Sequence, residues 1–127
     1  MSRRQGTSLL ELMIAMFIMI ILLSVAVPTF QRSVQYAKET VLKENLWQMR
    51  RAIEQHTADK GKLPKSVEEL VTAKYLHEKP VDPIREEAEW DEEQGEDPNS
   101  SDGETGLINV HSRADGTGSD GEPYSKY

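Results

Sequence analysis

The chain contains no cysteine among its 127 residues. This absence excludes disulfides, thiol chemistry and thiolate metal sites, and it leaves the redox compartment undetermined. Basic residues are also few, because 15 Lys and Arg stand against 22 Asp and Glu and give a net charge of −7. No nucleic-acid partner is therefore expected, since phosphate binding needs clustered basic side chains. The length allows one small domain.

Charge is nearly absent from the run between Leu9 and Val27, whose only charged residue is Glu11. An apolar run of this length fits the hydrocarbon core of a bilayer, which needs about 20 residues. Arg3 and Arg4 lie just before it. By the positive-inside tendency they hold the N-terminus in the cytoplasm and direct the remaining chain outward.

Two ordinary explanations of this run remain open, a cleavable secretory signal and a plain signal-anchor helix. A secretory signal has a small-residue cleavage site after its apolar core, whereas here the small residue, Gly6, precedes the run. A plain anchor leaves Glu11 unexplained. An acidic side chain within a membrane helix costs about 2.5–3.5 kcal/mol on insertion scales, so Glu11 is a candidate functional residue.

The sequence Gly6-Thr7-Ser8-Leu9-Leu10-Glu11 resembles the prepilin cleavage motif of the type IV pilin-like family. The resemblance implies that prepilin peptidase cuts after Gly6 and that Thr7 becomes the first, N-methylated residue. Glu11 would then be the acidic fifth residue that acts in assembly. Pro28, just beyond the apolar run, also matches the family. Members of this family are structural subunits of filaments, so no enzymatic activity is implied.

Helical periodicity continues beyond Pro28. One apolar stripe comprises Phe30, Val34, Ala37 and Val41, a second comprises Leu42, Leu46, Met49 and Ile53, and the opposite positions carry Lys38, Glu39, Lys43, Glu44, Arg50, Arg51 and Glu54. The pattern predicts one helix from about Ser8 to His56. One alternative is that Pro28 divides two unrelated helices, because an interior proline removes a backbone hydrogen bond. The other is a coiled-coil seam, which the shortness of the stripe disfavours.

Two residues of this helix are predicted to be structural. Trp47 is expected to pack at the boundary between the helix and the following domain. His56 is interpreted as an ordinary helix-end residue and not as a ligand.

The remaining chain predicts a small mixed head. Ser66 and Glu69 form a capping-box pattern that opens a short helix, and the segment 107–112 is the best strand candidate. A second strand is plausible around Trp90, whereas the segment 94–106 is predicted to be an exposed loop. The fold class is therefore α+β, a long N-terminal helix packed on a small head with a short helix and a small antiparallel sheet. The predicted divisions are 1–6 (leader), 7–28 (transmembrane and filament-core helix), 29–57 (amphipathic half-helix) and 58–127 (head).

Ten acidic residues and no basic ones occupy the segment 86–104. This run is interpreted as a solvated loop, with a divalent-cation or partner-docking surface as the alternative.

The segment 112–124 interleaves Gly with oxygen-bearing side chains, as a calcium loop requires. It resembles the terminal loop of the major pseudopilins of type II secretion. That resemblance implies one calcium ion held by Asp115 and Asp120, with Ser112 and Ser119 as further donors. The alternative is a metal-free, hydrogen-bonded turn.

The combined resemblance implies a major pseudopilin. Such a subunit is stored in the inner membrane with its head in the periplasm and polymerises with itself into a periplasmic filament that supports protein export across the outer membrane. Its partners would be prepilin peptidase, minor pseudopilins and an inner-membrane assembly platform. The alternatives are a surface type IVa pilin for adhesion or motility, and an enzyme or ligand-binding domain on a signal anchor.

Processing provides the first test. We expect mass spectrometry of the membrane or filament protein to detect a chain that begins at Thr7 and carries an N-methyl group. A mature N-terminus beyond Val27 would instead indicate ordinary signal peptidase and contradict the motif assignment.

Overall fold

The computed structural model describes the backbone of residues 2–127 and the side chains from Ser8 onward. Its elements in chain order are helix α1 (Ser2–Lys60), helix α2 (Val67–Thr72), strand β1 (Asp91–Glu96), strand β2 (Thr105–His111) and a terminal 3-10 turn (Tyr124–Lys126). The predicted α+β class is confirmed. The chain divides into two compact units, residues 1–36 and residues 37–127.

The first unit is the N-terminal part of α1. Its apolar side chains are exposed from Leu9 to Val27. The helix is long and apolar enough to cross a membrane, and none of its most apolar stretch is buried. A free apolar surface of this size is not stable in water, which favours a lipid or protein environment for this unit.

Pro28 does not divide the helix. Helix α1 is continuous through it, although proline cannot donate the backbone hydrogen bond of its turn. Nearby hydroxyls form further bonds to the helix backbone, from Thr29 Oγ1 to Val25 O at 2.9 Å and from Ser24 Oγ to Ile21 O at 2.6 Å. The alternative of two unrelated helices is therefore wrong.

The second unit is built on one face of α1. Leu42, Leu46, Met49 and Ile53 are all buried there, as their spacing predicts. The other predicted stripe behaves differently, because Phe30, Val34, Ala37 and Val41 are exposed.

Helix α1 ends where the chain turns at Gly61. This glycine has a φ of 71°, and its N–H donates to Thr57 O at 2.9 Å, which is a common glycine termination. His56 lies just before this end and is buried, with Nδ1 3.1 Å from Lys62 O. Its contacts agree with the helix-end role predicted for it.

The short helix α2 begins as its capping residues predict. The Ser66 hydroxyl accepts a hydrogen bond from Glu69 N at 3.3 Å. The Glu69 carboxylate accepts from the N–H of Lys65 and not from that of the cap itself. Val67 and Leu70 are fully buried and belong to the same core cluster as the buried stripe of α1.

Strands β1 and β2 pair antiparallel, and the predicted loop 94–106 is wrong at both ends. Gln94 to Glu96 belong to β1, and Thr105 and Gly106 belong to β2. Acidic and glycine residues have low strand propensity, but the ladder bonds to a partner strand override that preference. The loop between the strands is therefore confined to residues 97–104.

A bulge at Ile108 sets which side chains of β2 face the core. The register pairs Glu93 with Asn109 and Gln94 with Leu107, which leaves Ile108 as the extra residue. Leu107 and Val110 are both fully buried, although a regular strand would turn them to opposite faces. Ile108 is 42% exposed as a result.

Trp47 is exposed, although it was predicted to pack at the boundary between the helix and the head. Its side chain is 53% exposed, and its ring lies 5.2 Å from the Arg51 guanidinium. The predicted packing role is wrong, because positions 46 and 49 carry the buried face and position 47 points away from it. Trp90 is the buried tryptophan of the head, and its indole N–H donates to Pro80 O at 2.8 Å.

Adjacent residues of α1 allow a matched test of this core. Replacing Leu42, which is fully buried, by Ala should lower the free energy of unfolding by about 2–5 kcal/mol, because a cavity remains. Replacing its neighbour Val41, which is 48% exposed, by Ala should change it by less than about 1 kcal/mol. Urea unfolding of the detergent-solubilised protein measures both. Equal losses would contradict the assigned helix face.

Candidate functional site

The chain contains two regions to which sequence patterns assign function, the apolar N-terminal segment and the C-terminal loop, defined as residues 112–127. Each is described within its own unit.

Glu11 lies on the exposed surface of α1, surrounded along the chain by the apolar run. No hydrogen bond or ion pair to it is formed within the part of the chain whose side chains are described. A carboxylate placed in lipid without a partner is costly. In lipid its charge therefore needs a partner from outside these residues.

Gly6 and Thr7 fall outside the residues whose side chains are described. The backbone of α1 includes both positions. Their roles in processing stay predictions.

The C-terminal loop contacts α1 through a buried carboxylate, Glu39. Glu39 is 4% exposed and accepts hydrogen bonds from Ser119 N at 2.9 Å, from the Ser119 hydroxyl and from Tyr124 OH at 3.1 Å. The hydrogen bond from the Ser119 hydroxyl is the main cause that lowers the pKa of Glu39, and it outweighs burial, which acts in the opposite direction. The carboxylate is therefore held in its charged form.

Lys43 lies one helical turn beyond Glu39 and contacts the same loop. Its Nζ is 3.4 Å from Asp120 Oδ2 and 4.9 Å from the centre of the Tyr127 ring. Asp120 Oδ1 accepts from Tyr127 OH at 3.2 Å and from Glu122 N at 3.1 Å. Burial, together with the bond to Asp120, raises the pKa of Tyr127 to about 12. The phenol is therefore a hydrogen-bond donor at neutral pH.

Arg50 ties the end of the loop to β2. Its guanidinium donates to Asn109 Oδ1 at 2.7 Å, to Val110 O at 2.9 Å and to Tyr127 O at 2.6 Å. These bonds use the planar fork of donors that distinguishes Arg from Lys.

The start of the C-terminal loop is fixed by Asp82, which is fully buried. Its carboxylate accepts from the Ser112 hydroxyl at 2.6 Å and from Ile84 N at 2.8 Å. The same Ser112 oxygen accepts from Ala114 N at 3.0 Å. Ser112 thus has a structural partner, Asp82, at the turn of residues 82–87.

The four predicted calcium donors do not form a metal-binding set in this arrangement. Ser112 is directed at Asp82, Ser119 is directed at Glu39, and Asp120 is paired with Lys43. Asp115 is exposed. Among the described residues, no group of three or more His, Asp or Glu side chains is placed to hold a metal ion. The residues do not fit calcium as they lie, and its binding stays a prediction.

Sequence reasoning missed Glu39 because it assigned this residue to the polar face with its charged neighbours. A signal was present. The spacing from Glu39 to Leu42 and then to Leu46 is three and four, which places the carboxylate on the buried stripe. A charged residue in register with a core stripe indicates a paired, buried group.

An open polar cavity of about 370 Å³ lies beside Leu63 and Asp97. The Asp97 carboxylate accepts from Leu63 N at 3.0 Å and from Asn99 N at 2.9 Å. It therefore supports the 97–104 loop, and its oxygens are occupied by backbone donors. His111, at the far end of β2, pairs with Glu93 at 3.1 Å.

Comparison with known proteins identified one feature. A family model described as the prokaryotic N-terminal methylation motif matches residues 1–27. No curated protein and no solved structure matched the chain.

The contacts of Glu39 predict a specific pH dependence. Its folded pKa lies below the ordinary 4.5, so its contribution to stability is complete above that value and is lost as pH falls through the folded pKa. The difference in free energy of unfolding between wild type and Glu39→Gln should be constant near neutral pH and shrink below about pH 4.5. Urea titrations of both proteins at several pH values measure it. A difference that grows on acidification would contradict the assignment.

Proposed function

We propose that this type IV pilin-like chain is the major pseudopilin of a type II secretion system, a structural subunit that polymerises in the periplasm. The observation that carries the proposal is the exposed apolar helix with Glu11 at its start, in the spacing of a prepilin motif. Such a surface needs lipid before assembly and other helices afterwards.

The proposed pathway begins in the inner membrane. Arg3 and Arg4 keep the N-terminus in the cytoplasm, so the compact unit of residues 37–127 is delivered to the periplasm. Prepilin peptidase then removes residues 1–6. The subunit leaves the bilayer when the assembly platform adds it to a filament, to which minor pseudopilins also belong.

Glu11 has a defined role in this mechanism. Cleavage creates a positive charge at the amino group of Thr7, and N-methylation leaves that charge in place. An unpaired carboxylate and an unpaired ammonium would each be costly among packed helices, whereas a close pair offsets much of the cost. We propose that Glu11 meets the amino group of a neighbouring subunit and thereby sets the axial register of the polymer.

The absence of cysteine favours the pseudopilin over a surface pilin. Many type IVa pilins close a C-terminal loop with a disulfide, and this chain cannot. The contacts of Glu39, Lys43 and Arg50 offer another way to fix that loop. Within residues 37–127, the buried carboxylates at positions 39, 82 and 97 accept hydrogen bonds from the chain itself, which supports a structural role for them.

Replacing Glu11 by Leu tests the mechanism. The segment becomes more hydrophobic, so membrane insertion should survive, and mass spectrometry should still detect cleavage after Gly6. Filament yield should fall by at least about tenfold, because the neighbour's ammonium loses its partner. Met13→Leu, a change of similar size on the same helix, is the matched control and should assemble normally. Normal filaments from a fully processed Glu11→Leu protein would contradict the proposed pairing.

A deletion strain separates the two filament classes. A pseudopilin deletion should trap folded export substrates in the periplasm and leave surface motility unchanged. Loss of motility or adhesion with normal export would assign the chain to the type IVa pilins instead.

A further inference from the structure

The C-terminal loop has few apolar contacts of its own. Ala114 and Tyr124 are its buried apolar residues, and Gly116 and Gly121 adopt φ values of 100° and 86°. Ordering such a segment is costly in backbone entropy. Contacts with residues outside the loop are therefore needed to keep it in one conformation.

Besides the Arg50 contact with Tyr127 O, helix α1 restrains the loop through two charges of opposite sign. Glu39 and Lys43 are four residues apart and so lie on the same face of the helix. Glu39 is buried and accepts bonds from Ser119 and Tyr124. Lys43 reaches Asp120 and the Tyr127 ring. The loop therefore contacts the Glu39 carboxylate at one turn of α1 and the Lys43 ammonium at the next.

The Lys43 ammonium lies where a cation serving Asp120 would have to bind. It is 3.4 Å from Oδ2, and the other carboxylate oxygen already accepts from Glu122 N and from Tyr127 OH. A divalent ion at Asp120 would face the positive charge of Lys43 and would displace these donors. The Ser119 hydroxyl, the neighbouring candidate ligand, donates to Glu39.

We propose that Glu39 and Lys43 form a metal-independent latch that closes the C-terminal loop on α1, in place of a calcium ion. The buried Glu39 contributes more than Lys43, because an exposed ion pair such as Lys43–Asp120 is weak and easily screened. The latch acts within a single subunit, so the inference does not rest on the proposed secretion role.

Hydrogen–deuterium exchange of the full-length protein in detergent micelles tests the latch. The readout is the protection of peptides from residues 112–127, where the Ser119 amide donates to Glu39 at 2.9 Å. Wild-type protection should be the same in millimolar calcium and in EGTA. A loop site at a hundredfold excess over its Kd would instead raise protection by about a hundredfold, if opening releases the metal. A calcium-dependent increase of that kind would overturn the proposal.

Variants then assign the restraint to the latch. Glu39→Ala should lower protection of the loop by about tenfold or more, while Glu44→Gln, an exposed carboxylate of the same helix, should leave it unchanged. Protection of β2 peptides reports whether the core remains folded.

If Glu39→Ala unfolds the head, Ser119→Ala decides the question. It removes the hydroxyl donor from an exposed loop residue and should lower loop protection by about fivefold with β2 unaffected. Unchanged loop protection in Ser119→Ala, or in a folded Glu39→Ala, would refute the latch.

Discussion

The core of residues 37–127 depends on one face of α1. The other elements of this unit are a six-residue helix, a two-stranded sheet and a terminal 3-10 turn. A hairpin of that size is at best marginally stable alone. Leu46 and Met49 of α1 form one core cluster with Leu70 of α2 and Val110 of β2. A change that alters this face of the helix therefore affects every other element of the unit.

In the first third of the same helix, the apolar side chains are exposed and not buried. There the apolar side chains have no partner in the described chain, and Glu11 is the one carboxylate among them. Stability in this segment has to come from a non-aqueous environment, either lipid or copies of itself. A single continuous helix thus suits two environments. It is apolar on all sides where it needs a non-aqueous environment, and apolar on one face where it packs against the rest of residues 37–127.

Features that depend on local periodicity could be predicted from the sequence. Features that depend on contacts with residues far away along the chain could not. The buried stripe of α1 and the Ser66 cap follow from spacing that extends over one or two turns. Gln94 belongs to a strand because β2 provides its ladder bonds. Ile108 is exposed because of a bulge in the register. Glu39 is the instructive failure, since its partners lie about 80 residues away and its charge concealed its position on the apolar stripe. The calcium prediction used the loop residues alone, without the helix charges that face them, and calcium binding stays a prediction.

The composition of β1 has a consequence for crowded subunits. In a two-stranded sheet each strand has an outer edge that pairs with no other strand among the described residues. Exposed edges invite the strands of another molecule to add to them. Four of the six residues of β1 are acidic, and a second copy approaching edge to edge would bring like charges together. The carboxylates that make β1 a poor strand former thereby protect concentrated subunits from aggregating through their sheets.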